Sequence, residues 1–161
     1  MSGTIRVGLG YDIHPFEAAG GSRRLVLAGV VLDGHAGLVG HSDADAVAHA
    51  VADALLGAAG FPDLGTLFPA TDERWQGADS MALLAEVHAR VGAAGWSVGN
   101  VDIVVNAEAP RLAPHLEAMR ANLVACLAGA AVNLKPKRGE GIGTVGRAEG
   151  IAVWAVALLE R

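Results

Sequence analysis

The sequence has few of the residues that mark secreted, disordered or nucleic-acid-binding proteins. It contains one cysteine among 161 residues, Cys126, so an internal disulfide is excluded and a reducing, cytoplasmic compartment is expected. Only 4% of the residues are aromatic and 18% are charged, while 52% are hydrophobic, a composition too apolar for disorder. The net charge of -5 provides no basic face, so neither a nucleic acid nor a membrane is an expected partner.

Long apolar runs are also missing. Uncharged apolar runs such as residues 151–159 are far shorter than the about 20 residues of a membrane-spanning helix. No linker, charge block or internal repeat divides the chain, so residues 1–161 are predicted to form a single domain. The mean hydropathy of +0.39 favours a surface that is partly covered by other subunits.

The hydrophobic periodicity predicts an α+β (α/β) sandwich, with a single mixed sheet and helices on one of its faces. Strands are predicted over residues 5–13, 25–27, 30–32, 101–105, 131–137 and, from its branched residues, 151–159. Helices are predicted from an N-cap at Ser42 to Gly57 or Gly60, over residues 80–94 and over residues 110–127. Residues 61–79 are predicted to be a loop. The uncovered sheet face is then free to pack against neighbouring subunits.

Asp12 and His14 are separated by one residue in the first predicted strand, so both side chains leave the same face. Nearby, Gly8 and Gly10 indicate that another backbone approaches this strand closely. The pair alone is weak evidence for a ligand site, since a surface Asp beside a hydrogen-bonded His is the more common arrangement. A dinucleotide-binding fingerprint is rejected, because Ile13 occupies the third glycine position and no helix follows.

His41, Asp45, His49 and Asp53 recur at four-residue intervals, which predicts a polar stripe along the first helix. Alternating His and Asp favour a cleft, because a solvated stripe more often carries Lys, Glu and Arg. Either histidine could join the strand pair as a metal ligand, with Asp45 holding the second ring nitrogen of His49. Two histidines and one carboxylate leave a position of a tetrahedral Zn²⁺ open, which is the catalytic pattern.

A phosphate is the expected ligand near these residues. A helix N-terminus at His41 and Ser42 would bind an anion, although an ordinary serine cap is the alternative. The acidic, hydroxyl-bearing loop over residues 63–72 is either a solvated connector or a site for sugar hydroxyls or a base.

A second charged segment lies before a glycine-rich turn. Lys135, Lys137 and Arg138 suit phosphate neutralisation, and Glu140 could bind a hard divalent ion. A basic surface hairpin is the alternative for this segment if it is considered alone.

Taken together, these segments resemble the 2-C-methyl-D-erythritol 2,4-cyclodiphosphate synthases of the non-mevalonate isoprenoid pathway. The resemblance extends over nearly the whole chain. Its motifs are Gly10-Tyr-Asp12-Ile-His14, Gly40-His41-Ser42-Asp43-Ala-Asp45, Ala48-His49-Ala50, Asp53-Ala-Leu-Leu-Gly57, Asp63-Leu-Gly65, Leu67-Phe68-Pro69-Ala-Thr71-Asp72, Gly77-Ala-Asp79-Ser80, Gly99-Asn100-Val-Asp102, Ala109-Pro110-Arg111, Pro114-His115 and Gly146-Arg147-Ala-Glu149-Gly150.

The resemblance implies conversion of 4-diphosphocytidyl-2-C-methyl-D-erythritol 2-phosphate to 2-C-methyl-D-erythritol 2,4-cyclodiphosphate with release of CMP. It implies a homotrimer whose sheets pack around the trimer axis, with active sites between subunits. It assigns one Zn²⁺ per subunit to Asp12, His14 and His49. It also assigns a second divalent cation, Mg²⁺ or Mn²⁺, to Glu140.

The same resemblance implies two catalytic positions and a substrate-binding set. His41 would contact a substrate phosphate and stabilise the transition state, and Arg138 occupies the second catalytic position. The methylerythritol part is assigned to Asp63, Leu64, Gly65, Phe68, Pro69, Ala70, Thr71 and Asp72. The cytidine and diphosphate pocket is assigned to Ala107, Glu108, Ala109, Pro110, Arg111, Leu112, Ala113, Lys137 and Gly139. Further implied substrate contacts are Ser42, Thr144 and Arg147.

Three positions depart from the family pattern. Arg138 stands where a threonine is usual, Ala70 where an aspartate is common, and Thr144 where an aromatic residue often lies near the trimer axis. Arg138 motivates an alternative, a divergent zinc-binding paralogue that acts on or binds a related nucleotide-diphosphate polyol. A third hypothesis, a purely structural zinc protein, predicts that the chain unfolds when the metal is removed.

Overall fold

This computed structural model describes residues 3–161. Its strands are β1 (Ile5–Pro15), β2 (Arg24–Leu27), β3 (Val30–Ala36), β4 (Ser97–Asn106), β5 (Ala131–Lys137) and β6 (Gly150–Glu160). Its helices are α1 (Ala46–Ala59), α2 (Leu64–Leu67), α3 (Ser80–Ala93), α4 (Leu116–Cys126) and α5 (Gly143–Gly146), with 3₁₀ turns at Glu73–Trp75 and Ala113–His115. Over this described range, none of the helices has the length and apolarity needed to cross a membrane.

Four strands form a mixed sheet in the order β1-β6-β4-β5. β6 lies antiparallel between β1 and β4, so Ala155 faces Gly10 on one side and Ile103 on the other. β5 is parallel to β4 and therefore needs a crossover connection, which contains α4. The predicted α+β class and mixed sheet are confirmed. β2 and β3 form a separate two-stranded sheet, which the prediction of a single sheet did not include.

α1 packs directly on β1 because the residues at their contact are small. A Cβ atom on Gly8 would lie 2.0 Å from the carbonyl oxygen of Ala54, and one on Gly10 would lie 1.8 Å from that of Ala50. Neither distance is possible for a real side chain, so only glycine permits this approach. The predicted close approach is confirmed, and it brings α1 against the strand face that carries the Asp-x-His pair.

The opposite face of the sheet is apolar and uncovered. Alternate side chains of β1 on this face are between 44% and 66% exposed: Ile5, Val7, Leu9, Tyr11 and Ile13. β6 continues the patch with Trp154 and Val156, and the Trp154 ring lies 5.2 Å from that of Tyr11 between centroids. An apolar patch of this extent marks an interaction surface.

Two predicted segments have different bounds in the structure. The helix predicted over residues 110–127 is a 3₁₀ turn at Ala113–His115 followed by α4 at Leu116–Cys126, and residues 110–112 precede both. The loop predicted over residues 61–79 contains α2 and a 3₁₀ turn, whose first amides are capped by Asp63 and Asp72. The segment that was ambiguous by pattern, residues 151–159, is a strand as predicted.

Candidate active site

The segment before α1 differs from the prediction. Ala44 has a φ of 60°, in the left-handed region, so the helix cannot extend upstream through it and begins at Ala46. Asp45 is the N-cap, and its carboxylate accepts hydrogen bonds from the amides of Val47 at 3.1 Å and Ala48 at 3.0 Å. The predicted cap at Ser42 was wrong.

Asp45 also joins two parts of the chain. Its carboxylate accepts hydrogen bonds from the amides of Ala28 at 2.8 Å and Gly29 at 2.7 Å, in the turn between β2 and β3. The residue is fully buried. Because its carboxylate is bonded to backbone amides, the predicted contact with the His49 ring was wrong.

The predicted polar stripe is only partly present. His49 and Asp53 lie on α1, whereas His41 lies in the preceding loop, so these residues do not share a helix face. An anion site at a helix N-terminus formed by His41 and Ser42 was therefore also a wrong prediction, because the helix starts several residues later.

Asp12, His14 and His49 meet where α1 packs on β1. Asp12 Oδ2 lies 2.9 Å from His14 Nε2 and 3.0 Å from His49 Nδ1, and the two ring nitrogens are 3.3 Å apart. Tetrahedral bonds of about 2.0–2.1 Å place ligand atoms about 3.3 Å apart, so a shared metal ion fits this spacing. Within residues 3–161 this is the one group of three or more His, Cys, Asp or Glu side chains close enough to hold a metal.

In each histidine, the ring nitrogen that points away from the triad carries the hydrogen. The nitrogen that faces the other two triad members therefore keeps its lone pair for a metal. His14 Nδ1 lies 2.8 Å from the Val39 carbonyl oxygen, which only accepts, so Nδ1 carries the hydrogen. His49 Nε2 lies 2.8 Å from Ser80 Oγ, and that hydroxyl donates to Asp43, so it accepts from His49. Each histidine is thus oriented for metal ligation by a partner outside the triad.

Electrostatics keep the triad carboxylate ionised. Burial opposes ionisation of Asp12, but the polar contacts of its carboxylate with the His14 and His49 rings outweigh it and lower the pKa of Asp12 to about 2. Burial likewise favours neutral His14, but protonated His14 gains a hydrogen bond to Asp12 and an attraction to its charge, which outweigh burial and raise the pKa of His14 above 6.5. The triad therefore holds a carboxylate beside an imidazole that protonates readily.

A cavity of about 290 Å³ opens beside the triad. The predicted residues that line it are His41, Ser42, Leu64, Gly65, Phe68 and Ala70, and Asp53, Trp75 and Leu83 join them. His41 Nε2 and Trp75 Nε1 are buried with no hydrogen-bond partner in the described structure. Buried polar atoms of this kind need a partner, and a bound ligand would supply one.

Four other predicted residues of this loop do not line the cavity: Asp63, Pro69, Thr71 and Asp72. Asp63 accepts a hydrogen bond from the Thr66 amide at 2.7 Å, and Asp72 caps the next turn and pairs with Arg74. These carboxylates therefore shape the loop. Asp53 anchors it to α1, accepting a hydrogen bond from the Leu64 amide at 2.7 Å.

A second cavity, of about 500 Å³, lies where β4 and β5 end. It brings together the predicted residues Ala107, Glu108, Ala109, Pro110, Arg111, Leu112, Ala113, Lys137 and Arg138. It shares no lining residue with the cavity at the triad. Gly139, Glu140, Thr144 and Arg147 follow β5 but do not line it, and Glu140 does not belong to the triad cluster.

The sequence interpretation missed three residues beside the triad. Ser80 and Asp43 orient His49, and the Arg23 guanidinium donates a hydrogen bond to the Ser42 carbonyl oxygen. The positive charge of Arg23 also opposes protonation of the neighbouring His14. These contacts join residues between 19 and 37 positions apart, so no local pattern in the sequence signals them.

The model of the YgbB family matches residues 5–160. The chain belongs to this family. Its relative from Bordetella avium, named 2-C-methyl-D-erythritol 2,4-cyclodiphosphate synthase, is 52% identical over 163 residues, covering 100% of this chain and 99% of that protein. The family resemblance inferred from the sequence motifs is confirmed.

The chain is also similar to part of a longer protein and to a solved ligand complex. The bifunctional enzyme IspD/IspF of Anaeromyxobacter dehalogenans is 52% identical over 163 residues, and the match covers 100% of this chain but only 41% of that protein. The solved CDP complex of IspF from Plasmodium falciparum has a TM-score of 0.84 and 30% identity, covering 99% of this chain and 97% of that chain. The same fold therefore occurs alone and as part of a larger enzyme.

Proposed function

We propose that this chain is a 2-C-methyl-D-erythritol 2,4-cyclodiphosphate synthase, a metal-dependent phosphorus–oxygen lyase of isoprenoid biosynthesis. In the proposed reaction, the 2-phosphate of 4-diphosphocytidyl-2-C-methyl-D-erythritol 2-phosphate attacks the β-phosphorus, and CMP leaves. The observation that carries the proposal is an open metal-ligand triad beside a cavity, in a chain of this family. The single cysteine, Cys126, supports the proposed cytoplasmic location.

We propose that Asp12, His14 and His49 hold one Zn²⁺ per subunit. Two imidazole nitrogens and a carboxylate oxygen suit zinc, and three protein ligands leave a position for a substrate oxygen. Bound zinc supplies polarisation and alignment of the phosphates. Glu140 is proposed to hold the second divalent cation, Mg²⁺ or Mn²⁺, because carboxylate oxygen suits hard ions.

The chain's own side chains position the substrate in this proposal. His41 Nε2, buried beside the triad without a partner, would be satisfied by a phosphate oxygen. Leu64, Phe68 and Ala70 offer apolar contacts for the methylerythritol skeleton. The larger cavity, where the cationic Lys137 and Arg138 meet the loop after β4, suits the cytidine and diphosphate groups.

We propose that three copies of the chain assemble through the uncovered sheet face. Its exposed apolar side chains from β1 and β6 support this packing. The two cavities share no lining residue within one subunit, and we propose, as the family resemblance implies, that the larger cavity of one subunit completes the triad site of its neighbour. Light scattering that gives three times the 16.3-kDa chain mass would support the trimer, and a monomer mass would contradict it.

Arg138 supports a second candidate, the divergent zinc-binding paralogue that acts on or binds a related nucleotide-diphosphate polyol. Its long cationic side chain lines the larger cavity at the position where the family pattern has threonine. CMP release from the cytidyl substrate, measured with zinc and magnesium, separates the two functions. Turnover that stops when the metals are chelated supports the synthase. No CMP above background from folded, zinc-loaded protein would contradict the synthase and favour the paralogue.

Zinc affinity is expected to fall as the pH decreases from about 8 to 6. Asp12, with a pKa of about 2, stays ionised over this range, whereas His14 takes up a proton as the pH falls through its raised pKa. Zinc must displace that proton, so the dissociation constant rises by up to about tenfold per pH unit below the His14 pKa. Competition titrations against a chelator measure the effect, and a constant affinity would contradict it.

The Ser80→Ala variant is expected to bind zinc about tenfold more weakly, the lower end of the usual effect of such a change. In the wild-type protein the Ser80 hydroxyl lies 2.8 Å from His49 Nε2 and orients the ring. The effect is expected to be small because Ser42 Oγ, 3.1 Å from the same nitrogen, remains in the variant. Ser97→Ala is the control, because that exposed hydroxyl bonds to the Glu160 carbonyl oxygen away from the triad. Equal zinc affinities in the two variants would rule out this role of Ser80.

A further inference from the structure

An ion pair crosses the larger cavity. Arg138 donates hydrogen bonds from Nε, at 3.0 Å, and from Nη2 to Glu108 Oε1. The Gly139 amide donates to the other oxygen, Glu108 Oε2, at 3.1 Å. Glu108 belongs to the loop after β4, and Arg138 and Gly139 follow β5, so one carboxylate connects the two walls of the cavity.

The two members of the pair differ in exposure. The Glu108 side chain is 18% exposed and the Arg138 side chain 67%, so the carboxylate is held in the wall and the guanidinium lies at the rim. A guanidinium has five N–H donors in a rigid plane. Glu108 occupies the edge formed by Nε and Nη2, which leaves the Nη1 group outside the pair. The contact of the inner edge, Nε and Nη2, with Glu108 therefore fixes the direction of the outer edge, which carries Nη1.

The charges around the pair favour an anionic ligand. Arg111, Lys137 and Arg138 line the cavity with a single carboxylate, Glu108, among its lining residues. The cation beside Glu108 holds the pKa of this carboxyl below its usual range, so the negative charge persists at neutral pH. An ion pair whose arginine side chain is 67% exposed contributes little to stability, because solvent screens its charge. Stability is therefore a poor explanation for this pair.

We propose that Glu108 is a positioning residue, which holds the Arg138 guanidinium so that its outer edge binds the diphosphate of a nucleoside diphosphate. The inference rests on the proposed function for the identity of the ligand. In this arrangement the arginine at the usual threonine position is a fixed donor and not a mobile cation. Fixing a long side chain before binding removes an entropic cost from the association step.

A double-mutant cycle on CDP binding tests this role. The probe is CDP, titrated calorimetrically into the full-length, zinc- and magnesium-loaded protein and its Glu108→Gln, Arg138→Gln and double variants. Arg138→Gln is expected to weaken CDP binding about 10- to 100-fold, the range for lost charge-assisted hydrogen bonds. Glu108→Gln is expected to weaken it up to about tenfold, as for one newly mobile side chain. When Arg138 is already replaced by Gln, the Glu108→Gln substitution is expected to cause no further loss of CDP affinity.

The sign of the Glu108 effect makes this test sharp. Removing a negative charge near the diphosphate would by itself strengthen binding, whereas loss of positioning weakens it. Stronger or unchanged CDP binding by Glu108→Gln overturns the inference, as does an equal loss in both backgrounds, which would indicate a structural role through Gly139. Glu117→Gln is the control, because it breaks a comparable exposed pair with Arg120 on α4, outside the cavity.

The outcomes also separate this inference from the proposed function. A wild-type protein that binds CDP and obeys the cycle but releases no CMP would contradict the synthase and support the role of Glu108. Normal CMP release with no effect of Glu108→Gln on CDP binding would support the synthase and contradict the role of Glu108. Failure of the wild-type protein to bind CDP would overturn the inference.

Discussion

In a His49→Ala variant, bound zinc is expected to fall from about one ion per subunit to near zero, and CMP release to fall by roughly a thousandfold. The variant retains two ligands, Asp12 and His14, from the same strand, and loses the only one contributed by α1. The expected loss of rate corresponds to about 4 kcal/mol of transition-state stabilisation, within the several kcal/mol that a Lewis-acid ion provides. Metal analysis of the purified protein and the CMP-release assay measure both effects.

The matched control is His88→Ala. His88 is also a partly buried helical histidine, but it lies on α3 and lines neither the triad cavity nor the larger cavity. Zinc content and turnover are expected to stay at the wild-type level in this variant. Undiminished zinc in His49→Ala would show that the triad is not the zinc site.

The same variant distinguishes a catalytic from a structural zinc site. The hydrophobic core is built from residues of α1, α3, α4, the four-stranded sheet, the β2–β3 hairpin and adjoining loops, with no triad member among them. We therefore expect His49→Ala and the chelated wild-type protein to keep their secondary structure and cooperative melting. Unfolding of both on loss of metal would instead support the structural hypothesis.

The strand half of the triad could be predicted from the sequence because its geometry is local. In a strand, residues two apart leave one face, so Asp12 and His14 had to be neighbours once β1 formed. Gly8 and Gly10 on that face also indicated the close partner, which is α1. Identification of His49 as the third ligand came from the family resemblance, since spacing alone left His41 equally possible.

The loop before α1 could not be predicted, because both Ser42 and Asp45 are possible helix caps and a tertiary contact decides between them. A serine followed three residues later by an aspartate is a reasonable capping box, and it placed the cap at Ser42. The structure places it at Asp45, whose carboxylate also satisfies amides of the β2–β3 turn. That second contact spans 16 or 17 positions and has no signature in either segment. The roles of Ser80 and Asp43 were hidden for the same reason.

The Asp45→Ala variant is expected to be destabilised by roughly 3–5 kcal/mol. Loss of the helix cap accounts for about 1 kcal/mol. The buried amide of Ala28 loses its acceptor, at a cost of roughly 1–3 kcal/mol for the unsatisfied group, and the amide of the exposed Gly29 loses a hydrogen bond worth roughly 0.5–1.5 kcal/mol. In a chain of this size, each kcal/mol lowers the melting temperature by about 2–4 °C, so we expect a decrease of roughly 6–20 °C. Thermal melts monitored by circular dichroism measure it.

Asp79→Ala is the control that isolates the second contact. Asp79 is the N-cap of α3 and accepts a hydrogen bond from the Met81 amide at 2.9 Å, but it is exposed and connects no second segment. Its loss is expected to cost about 1 kcal/mol, the value of a cap alone. Equal melting temperatures for the two variants would contradict the role of Asp45 in joining α1 to the β2–β3 turn. A larger loss in Asp45→Ala, accompanied by weaker zinc binding, would show that this buried carboxylate also holds the loop carrying His41, Ser42 and Asp43 against the triad.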